Sequence, residues 1–106
     1  MPANVELIKG FYVDTLPSFI KNNLAGKSSL PLIHLDSDTY KPTKYILTQL
    51  SAHIGPSTIL IFDEYFGLPF WEENEHKAFT EFISEGKRNF RYIAVSELAV
   101  AIQIIN

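Results

Sequence analysis

Cysteine is absent from the 106 residues of this chain. Its absence excludes disulfides and thiolate metal ligands, and it agrees with a reducing, cytoplasmic location. Long apolar segments are absent as well: none approaches the ~20 residues that a transmembrane helix needs, and the first residues do not form a basic and then apolar secretion signal. The net charge of −3 gives no electrostatic reason to expect nucleic acid or an anionic membrane as a partner. We therefore expect a soluble cytoplasmic protein that binds neither.

Glycine-rich phosphate-binding motifs are also missing. The sequence contains no Gly-x-Gly-x-x-Gly turn, no Gly-x-x-x-x-Gly-Lys-Ser/Thr loop and no Gly-x-Ser-x-Gly elbow. No dinucleotide or triphosphate cradle can therefore be assigned, which weakens a phosphate-handling function. The hydrophobic fraction of 46% supports a packed core. We expect residues 1–106 to form one α/β domain, short for a complete nucleotide-binding enzyme.

Apolar patterns and turn signals predict the element order β-α-β-α-β-α-β-β. The first helix is expected to have Asp14 as its cap and Pro17 in its first turn, and to end at Gly26. The last two strands suit an antiparallel hairpin at a sheet edge. The predicted strands are residues 5–9, 31–35, 58–62, 90–95 and 99–105, and the predicted helices are residues 14–26, 42–54 and 72–86.

Acidic residues follow two of these strands at the point where each apolar run ends. Asp36 and Asp38 follow strand 31–35, and Asp63 and Glu64 follow strand 58–62. Because the carboxyl ends of neighbouring parallel strands share one edge of a sheet, these four carboxylates are expected to converge. A divalent cation relieves the repulsion between them, and an all-oxygen donor set favours Mg²⁺ over Zn²⁺.

Each acidic segment also has a purely structural interpretation. Asp36 and Asp38 could only cap the helix that follows, and Asp63 with Glu64 could be a solvated strand end. His34 is interpreted as a core histidine rather than a ligand, and His53 and His76 as helix surface residues. The aromatic loop after the second acidic strand could line a substrate pocket or pack over the sheet end; it contains Phe66, Phe70 and Trp71.

Three segments resemble the macrocin O-methyltransferase family: Leu-Asp-Ser-Asp-Thr-Tyr-Lys-Pro-Thr at 35–43, Ile-Phe-Asp-Glu-Tyr at 61–65 and Gly-Phe-Tyr-Val-Asp-Thr-Leu-Pro at 10–17. The resemblance implies an enzyme that depends on S-adenosylmethionine and Mg²⁺ and methylates a sugar or other small-molecule hydroxyl. It implies Asp36, Asp63 and Glu64 as metal ligands, with Glu64 in place of an aspartate of many relatives. It also implies Asp38 as the general base.

The resemblance further implies a Rossmann-like, three-layer class I methyltransferase sheet, mostly parallel with a C-terminal antiparallel hairpin. This chain matches the C-terminal portion only and lacks the first two strands, so no cofactor-binding residue is assigned and the chain is interpreted as a truncated form or fragment. Strand 31–35 then loses its neighbour, and we expect residues 5–9, a second copy or a partner chain to cover that edge. The alternative is a non-catalytic oligomerisation or partner-binding module that retains the fold.

Overall fold

The computed structural model of the chain describes residues 8, 10, 12–24, 26, 29–36, 39–63, 65 and 71–106, with only the backbone described at Tyr12 and Trp71. The predicted order of elements is confirmed from the first helix onward; of the predicted strand 5–9, only Ile8 is described. The described elements are α1 (Tyr12–Phe19) with a π-helical turn (Ile20–Leu24), β1 (Leu32–Leu35), α2 (Tyr40–Leu50) with a 3₁₀ turn (Ser51–His53), β2 (Ile59–Phe62), a 3₁₀ turn (Trp71–Glu73), α3 (Glu75–Gly86), β3 (Phe90–Val95) and β4 (Val100–Ile104).

The four strands form one sheet in the order β1-β2-β4-β3. β1 and β2 are parallel, with Leu32 opposite Ile59, and β4 is antiparallel to both β2 and β3. Three of the four strands therefore run in the same direction. The predicted C-terminal hairpin is confirmed; its last strand, β4, is an inner strand of the sheet, and β3 forms the edge. A tight turn closes the hairpin, because Ser96 donates its backbone N–H to the Ala99 carbonyl at 2.9 Å.

One face of the sheet forms the core with the helices. Buried and half-buried residues alternate along β2 and β4, so that one side of each strand is buried and the other only partly. Apolar residues of α2 and α3 belong to the same core cluster as the buried sheet residues, and Leu16 and Phe19 of α1 pack against it. The buried members from the sheet are Leu35, Leu60, Phe62, Val100, Ile102 and Ile104, and those from α2 and α3 are Leu47, Leu50, Ala78, Phe79 and Phe82.

The opposite side of the sheet, called here the open face, comprises Leu32, His34, Ile59, Ile61, Ala101 and Gln103. Strand register places these residues together, and none of them belongs to the core cluster. Leu32 is 55% exposed, although it lies in the middle of an apolar segment. Within the described residues, the structure therefore has one helix layer and one sheet layer, and the predicted third layer is not among them.

The first helix begins earlier than predicted. α1 starts at Tyr12, so Asp14 lies in its first turn rather than at its cap, and Pro17 lies inside the helix. A proline has no N–H to donate to the carbonyl four residues earlier, which is that of Val13. Tyr45 of α2 contacts this carbonyl instead, with its hydroxyl 3.4 Å from the oxygen. The contact helps α1 to tolerate Pro17 and connects α1 to α2.

Two histidine predictions are wrong. His53 was expected at a helix surface, yet it is only 9% exposed, and its backbone carbonyl accepts a hydrogen bond from Leu30 at 2.7 Å. The 3₁₀ turn that follows α2 directs this residue inward. His34 was expected in the core, but it is exposed because it lies on the open face of β1. Of the helices in the described part of the chain, none combines the length and apolar character that a membrane crossing requires.

Candidate functional site

The carboxyl ends of β1 and β2 bring two of the predicted acidic residues together. Leu35 pairs with Phe62 at the last position of the parallel ladder, so Asp36 and Asp63 are the next residues on the two strands. The ladder continues by one hydrogen bond, from the Asp63 N–H to the Leu35 carbonyl at 3.3 Å. The expectation that both strands end in acid at one edge is therefore confirmed for Asp36 and Asp63.

A histidine contacts one of these acids directly. The His34 Nε2 atom lies 2.6 Å from Oδ1 of Asp63, across the gap between β1 and β2. His34 pairs with Ile61, and Asp63 lies two residues after Ile61 on the neighbouring strand. Residues two apart along a strand face the same way, so the His34 and Asp63 side chains are on the same side of the sheet. Their exposed fractions are 54% for His34 and 35% for Asp63, so a solvent-borne ligand can reach the pair.

The surrounding charge favours a protonated His34. The hydrogen bond to Asp63 raises the pKa of this imidazole above its usual value of 6.5, and partial desolvation opposes the effect. The charges of Asp63, Asp36 and Glu75 act in the same direction as the hydrogen bond. Three carboxylates from different segments therefore act electrostatically on one point at this edge of the sheet. Such a concentration of negative charge suits a cation.

Glu75 is the part of this environment that the sequence did not reveal. It was predicted only as an acidic residue in the first turn of a helix, and it does occupy the first turn of α3. Its side chain is nevertheless fully buried, which is unusual for glutamate. Its position three, four and seven residues before Ala78, Phe79 and Phe82 puts it on the apolar face of α3. That helical spacing is the signal in the sequence that could have found it.

The other predicted site residues lie outside the described residues. They are Asp38, Glu64, Phe66 and Phe70, and Trp71 is described by its backbone alone. Within the ranges that are described, no group of three or more histidine, aspartate or glutamate side chains has an arrangement that could hold a metal ion. The structure thus describes two of the predicted acids, Asp36 and Asp63, at one edge, and the complete set of four stays a prediction.

A shallow apolar depression lies on the open face at the same end of β2 as Asp63. Its volume is about 210 Å³. The strand register places Ile61 opposite Ala101 and Phe62 opposite Val100. The depression is therefore beside the edge of the sheet that carries Asp36 and Asp63, called here the acidic edge. Its lining comes from β2 and the hairpin: Ile61, Ala94, Val95, Ser96, Ala99, Val100 and Ala101.

The chain is similar to known proteins in sequence and in fold. The family model described as Macrocin-O-methyltransferase (TylF) matches residues 1–100. Two solved structures of CalS11, one described as an apo TDP-rhamnose 3′-O-methyltransferase of calicheamicin biosynthesis and the other as a calicheamicin methyltransferase, are similar to this chain with a TM-score of 0.70 and 23% identity. The matches cover 92% of this chain but only 40% and 36% of those chains. The chain thus spans about two fifths of the length of these relatives. No curated protein matches it.

Proposed function

Because the chain belongs to the macrocin-O-methyltransferase (TylF) family, we propose that it carries the metal-binding and proton-accepting part of an S-adenosylmethionine-dependent O-methyltransferase. The proposed acceptor is a hydroxyl of a sugar or of another small molecule, the chemistry that the CalS11 description names for that protein. The observation that carries the proposal is the position of Asp36 and Asp63 at adjacent carboxyl ends of two parallel strands.

The donor chemistry at this edge fits Mg²⁺. Asp36 and Asp63 offer carboxylate oxygens, which Mg²⁺ prefers, and the chain contains no cysteine that would favour a softer metal. We propose Asp36, Asp63 and Glu64 as the ligands. Bound Mg²⁺ would lower the pKa of an acceptor hydroxyl, and bound S-adenosylmethionine would supply the methyl group. The open, half-exposed position of Asp63 leaves room for the acceptor to approach.

Asp38 is the proposed general base. It lies two residues after Asp36, so it is close in sequence to one proposed ligand without being one of the set. Its carboxylate would take the proton from the acceptor hydroxyl as the oxygen forms its bond to the methyl carbon and the bond from that carbon to sulfur breaks. The chain supplies no glycine-rich turn for the cofactor, so its binding surface is proposed to be only partly formed by residues 1–106.

We propose that residues 1–106 are one partial domain, a truncated form or fragment of a Rossmann-like three-layer domain that works in the cytoplasm. The family match and the likeness to CalS11 over two fifths of its length support this proposal. The open face and the outer edge of β1 support it as well, because an apolar residue such as Leu32 is 55% exposed there. A second copy or a partner chain that covers this edge would bury Leu32 and provide hydrogen-bond partners for β1.

The same observation favours a second candidate function, a non-catalytic module that retains the fold and binds itself or a partner through the open face. In that case Asp36 and Asp63 are solvated strand ends. The two candidates differ in their response to Mg²⁺. The methyltransferase proposal requires a cation at the acidic edge, and the module does not.

Thermal unfolding with and without Mg²⁺ separates the two candidates. We expect Mg²⁺ to raise the melting temperature of the wild-type chain and Asp63→Ala to abolish the rise. Glu85→Gln is the matched control, because it removes a negative charge near the other end of α3, where Glu85 is 66% exposed. An equal response to Mg²⁺ in wild type and Asp63→Ala would contradict the metal site and favour the module.

Calorimetric titration with S-adenosylmethionine in the presence of Mg²⁺ tests the cofactor. One-to-one binding would support a cofactor site on this chain or its oligomer, and transfer of the methyl group to sugar acceptors would then be measured. No binding to this chain, with a retained Mg²⁺ response, would mean that the cofactor surface belongs to a part of the domain beyond these residues.

A further inference from the structure

The observed position of His34, beside Asp63, contradicts its sequence interpretation. Sequence patterns place it in the core, and the structure places it on the open face with Nε2 at 2.6 Å from Oδ1 of Asp63. An ionised carboxylate has no hydrogen to give, so the imidazole is the donor and Nε2 carries the hydrogen. The contact therefore requires a ring with a hydrogen on Nε2.

This contact restricts the orientation of a carboxylate at a partly exposed strand end. Asp63 follows the last residue of β2, and its side chain is 35% exposed. A half-exposed aspartate samples several orientations about its terminal torsion unless a partner holds it. A hydrogen bond from a neighbouring strand to Oδ1 selects one of them and leaves the Oδ2 side of the carboxylate for another ligand.

We propose that His34 is a positioning residue that holds the Asp63 carboxylate so that Oδ2 faces a bound divalent cation. This inference rests on the proposed function, because it takes Asp63 as a metal ligand. Carboxylates and histidines that bind metals are commonly fixed by a second hydrogen-bonding partner, and loss of that partner lowers metal affinity 10- to 100-fold in typical cases. His34 would act through Asp63 and would not contact the cation.

Folding and binding should respond differently to the loss of this contact. An exposed ion pair contributes little to the stability of a protein, so a variant at position 34 should retain the fold. Its effect on cation binding should be larger, because the cation needs a carboxylate that is already oriented. A purely structural contact would show the opposite pattern, with altered unfolding and unaltered binding.

Calorimetric titration of the full chain with Mg²⁺ tests this inference in wild type, His34→Ala and His34→Gln. We expect His34→Ala to weaken Mg²⁺ binding about tenfold, at the lower end of the usual range because the pair is exposed. His34→Gln should restore most of the affinity, since the glutamine Nε2 can donate a hydrogen bond from a similar distance. Wild-type affinity in His34→Ala would overturn the inference.

Gln103→Ala is the matched control. Gln103 also lies on the open face and accepts a side-chain hydrogen bond, from Arg91 Nε at 2.8 Å. It pairs with Ile59 at the start of β2, the opposite end from Asp63. The Mg²⁺ affinity of Gln103→Ala should therefore equal that of wild type, and a loss similar to that of His34→Ala would overturn a specific role for His34.

Nitrogen NMR of the His34 ring in the metal-free chain provides a second, independent measurement. At a pH where the ring is neutral, we expect its hydrogen on Nε2, and a ring with its hydrogen on Nδ1 would overturn the inference. If the ring carries its hydrogen on Nε2 while the wild-type chain binds no Mg²⁺, the proposed metal site fails and the positioning role fails with it. If the wild-type chain binds Mg²⁺ and His34→Ala binds it equally, only the positioning role fails.

Discussion

Glu81 shows how single residues join the two helices behind the site. The Tyr40 hydroxyl donates to Glu81 at 2.5 Å, and Lys44 donates to the same carboxylate at 2.9 Å. A third contact links Lys44 to Glu85, also at 2.9 Å. α2 and α3 are therefore connected by a small polar network at the edge of their apolar contact. The network depends on the ionised form of Glu81.

Acid should weaken this network in a defined direction. The hydrogen bond from Tyr40, followed by that from Lys44, holds the pKa of Glu81 below its usual value of 4.5. The stabilisation is therefore complete above pH 4.5 and is lost as the pH falls through the lower, folded-state pKa. We expect the unfolding free energy of Glu81→Gln to fall less steeply than that of wild type in this acid range, as measured by urea unfolding at a series of pH values.

Glu85→Gln serves as the comparison for this prediction. Glu85 shares Lys44 with Glu81, but its side chain is 66% exposed, twice the 33% of Glu81. The more exposed contact is more strongly screened by solvent, so Glu85→Gln should retain most of the wild-type acid dependence. Identical acid curves for Glu81→Gln and wild type would show that the network does not stabilise the folded chain.

At the scale of elements, sequence patterns predicted where the helices and strands lie more accurately than which faces of them are buried. The apolar spacing of α3 predicts a buried face made of Ala78, Phe79, Phe82 and Ile83. The first three are buried, and Ile83 is half-buried against the core. The continuous apolar segments of β1 and β2 predicted strands covered on both sides, which failed for Leu32 on the open face. A continuous apolar strand is typical of burial on both faces of a sheet. The sequence of the strand alone does not show whether the layer that would cover its second face belongs to the same chain.

The same distinction applies to the site. The edge formed by Asp36 and Asp63 was predictable, since each acid directly follows an apolar strand. The hydrogen bond between His34 and Asp63 was not predictable, because His34 lies in an apolar segment that suggests burial. Only the strand register places it next to Asp63. A signal was present in the two-residue spacing of His34 and Asp36, which puts both side chains on one side of β1. The burial of Glu75 also had a signal, because Glu75 has helical spacing with the buried Ala78, Phe79 and Phe82.

The end of α3 gives a prediction at this scale. The helix was expected to run to Gly86, which is its last helical residue, and Lys87 adopts a left-handed conformation with φ at 51°. The Arg88 N–H then reaches the Ile83 carbonyl at 3.0 Å, which completes a Schellman motif. A left-handed conformation costs a residue with a Cβ atom roughly 1 kcal/mol.

Lys87→Gly should therefore stabilise the chain by about 1 kcal/mol, because glycine adopts the left-handed conformation without that cost. Chemical unfolding of wild type, Lys87→Gly and Lys87→Ala measures the effect. Lys87→Ala is the control, since it removes the long side chain and keeps the Cβ atom, and it should bring no comparable gain. An equal gain from both substitutions would assign the effect to the lysine side chain rather than to the backbone.

At the scale of the whole molecule, the two outer strands of the described sheet differ in how they limit association with other chains. β3 has an irregular pairing between Tyr92 and Ala94, and it carries the charge of Arg91. Bulges and charges of this kind are common protections of a sheet edge. β1 pairs regularly along its whole length with β2 and exposes Leu32 on the open face. Among the residues that the structure describes, β1 is therefore the outer strand without such protection, and its carboxyl end carries part of the proposed site.

A pair of lysine substitutions in adjacent positions of β1 tests the role of this surface. Leu32 lies on the open face, and Ile33 packs against the core cluster on the other side. We expect Leu32→Lys to reduce the self-association of the chain in sedimentation velocity over a range of concentrations, while its unfolding free energy changes by only about 0.5 kcal/mol. Ile33→Lys should instead destabilise the fold by about 2 kcal/mol or more, because it directs a charge into the core.

The two substitutions are at adjacent positions whose side chains point to opposite faces of β1. Together they distinguish an effect on association at the open face from an effect on packing in the core. A wild-type chain that stays monomeric at all concentrations, and does not change in Leu32→Lys, would contradict the proposal that a second copy covers β1. A partner chain or residues 5–9 would then remain as the cover, and Leu32→Lys should weaken the binding of a partner chain. If Leu32→Lys destabilises the chain as much as Ile33→Lys does, the open face is packed in solution by residues of the chain itself, and the two-layer arrangement is incomplete.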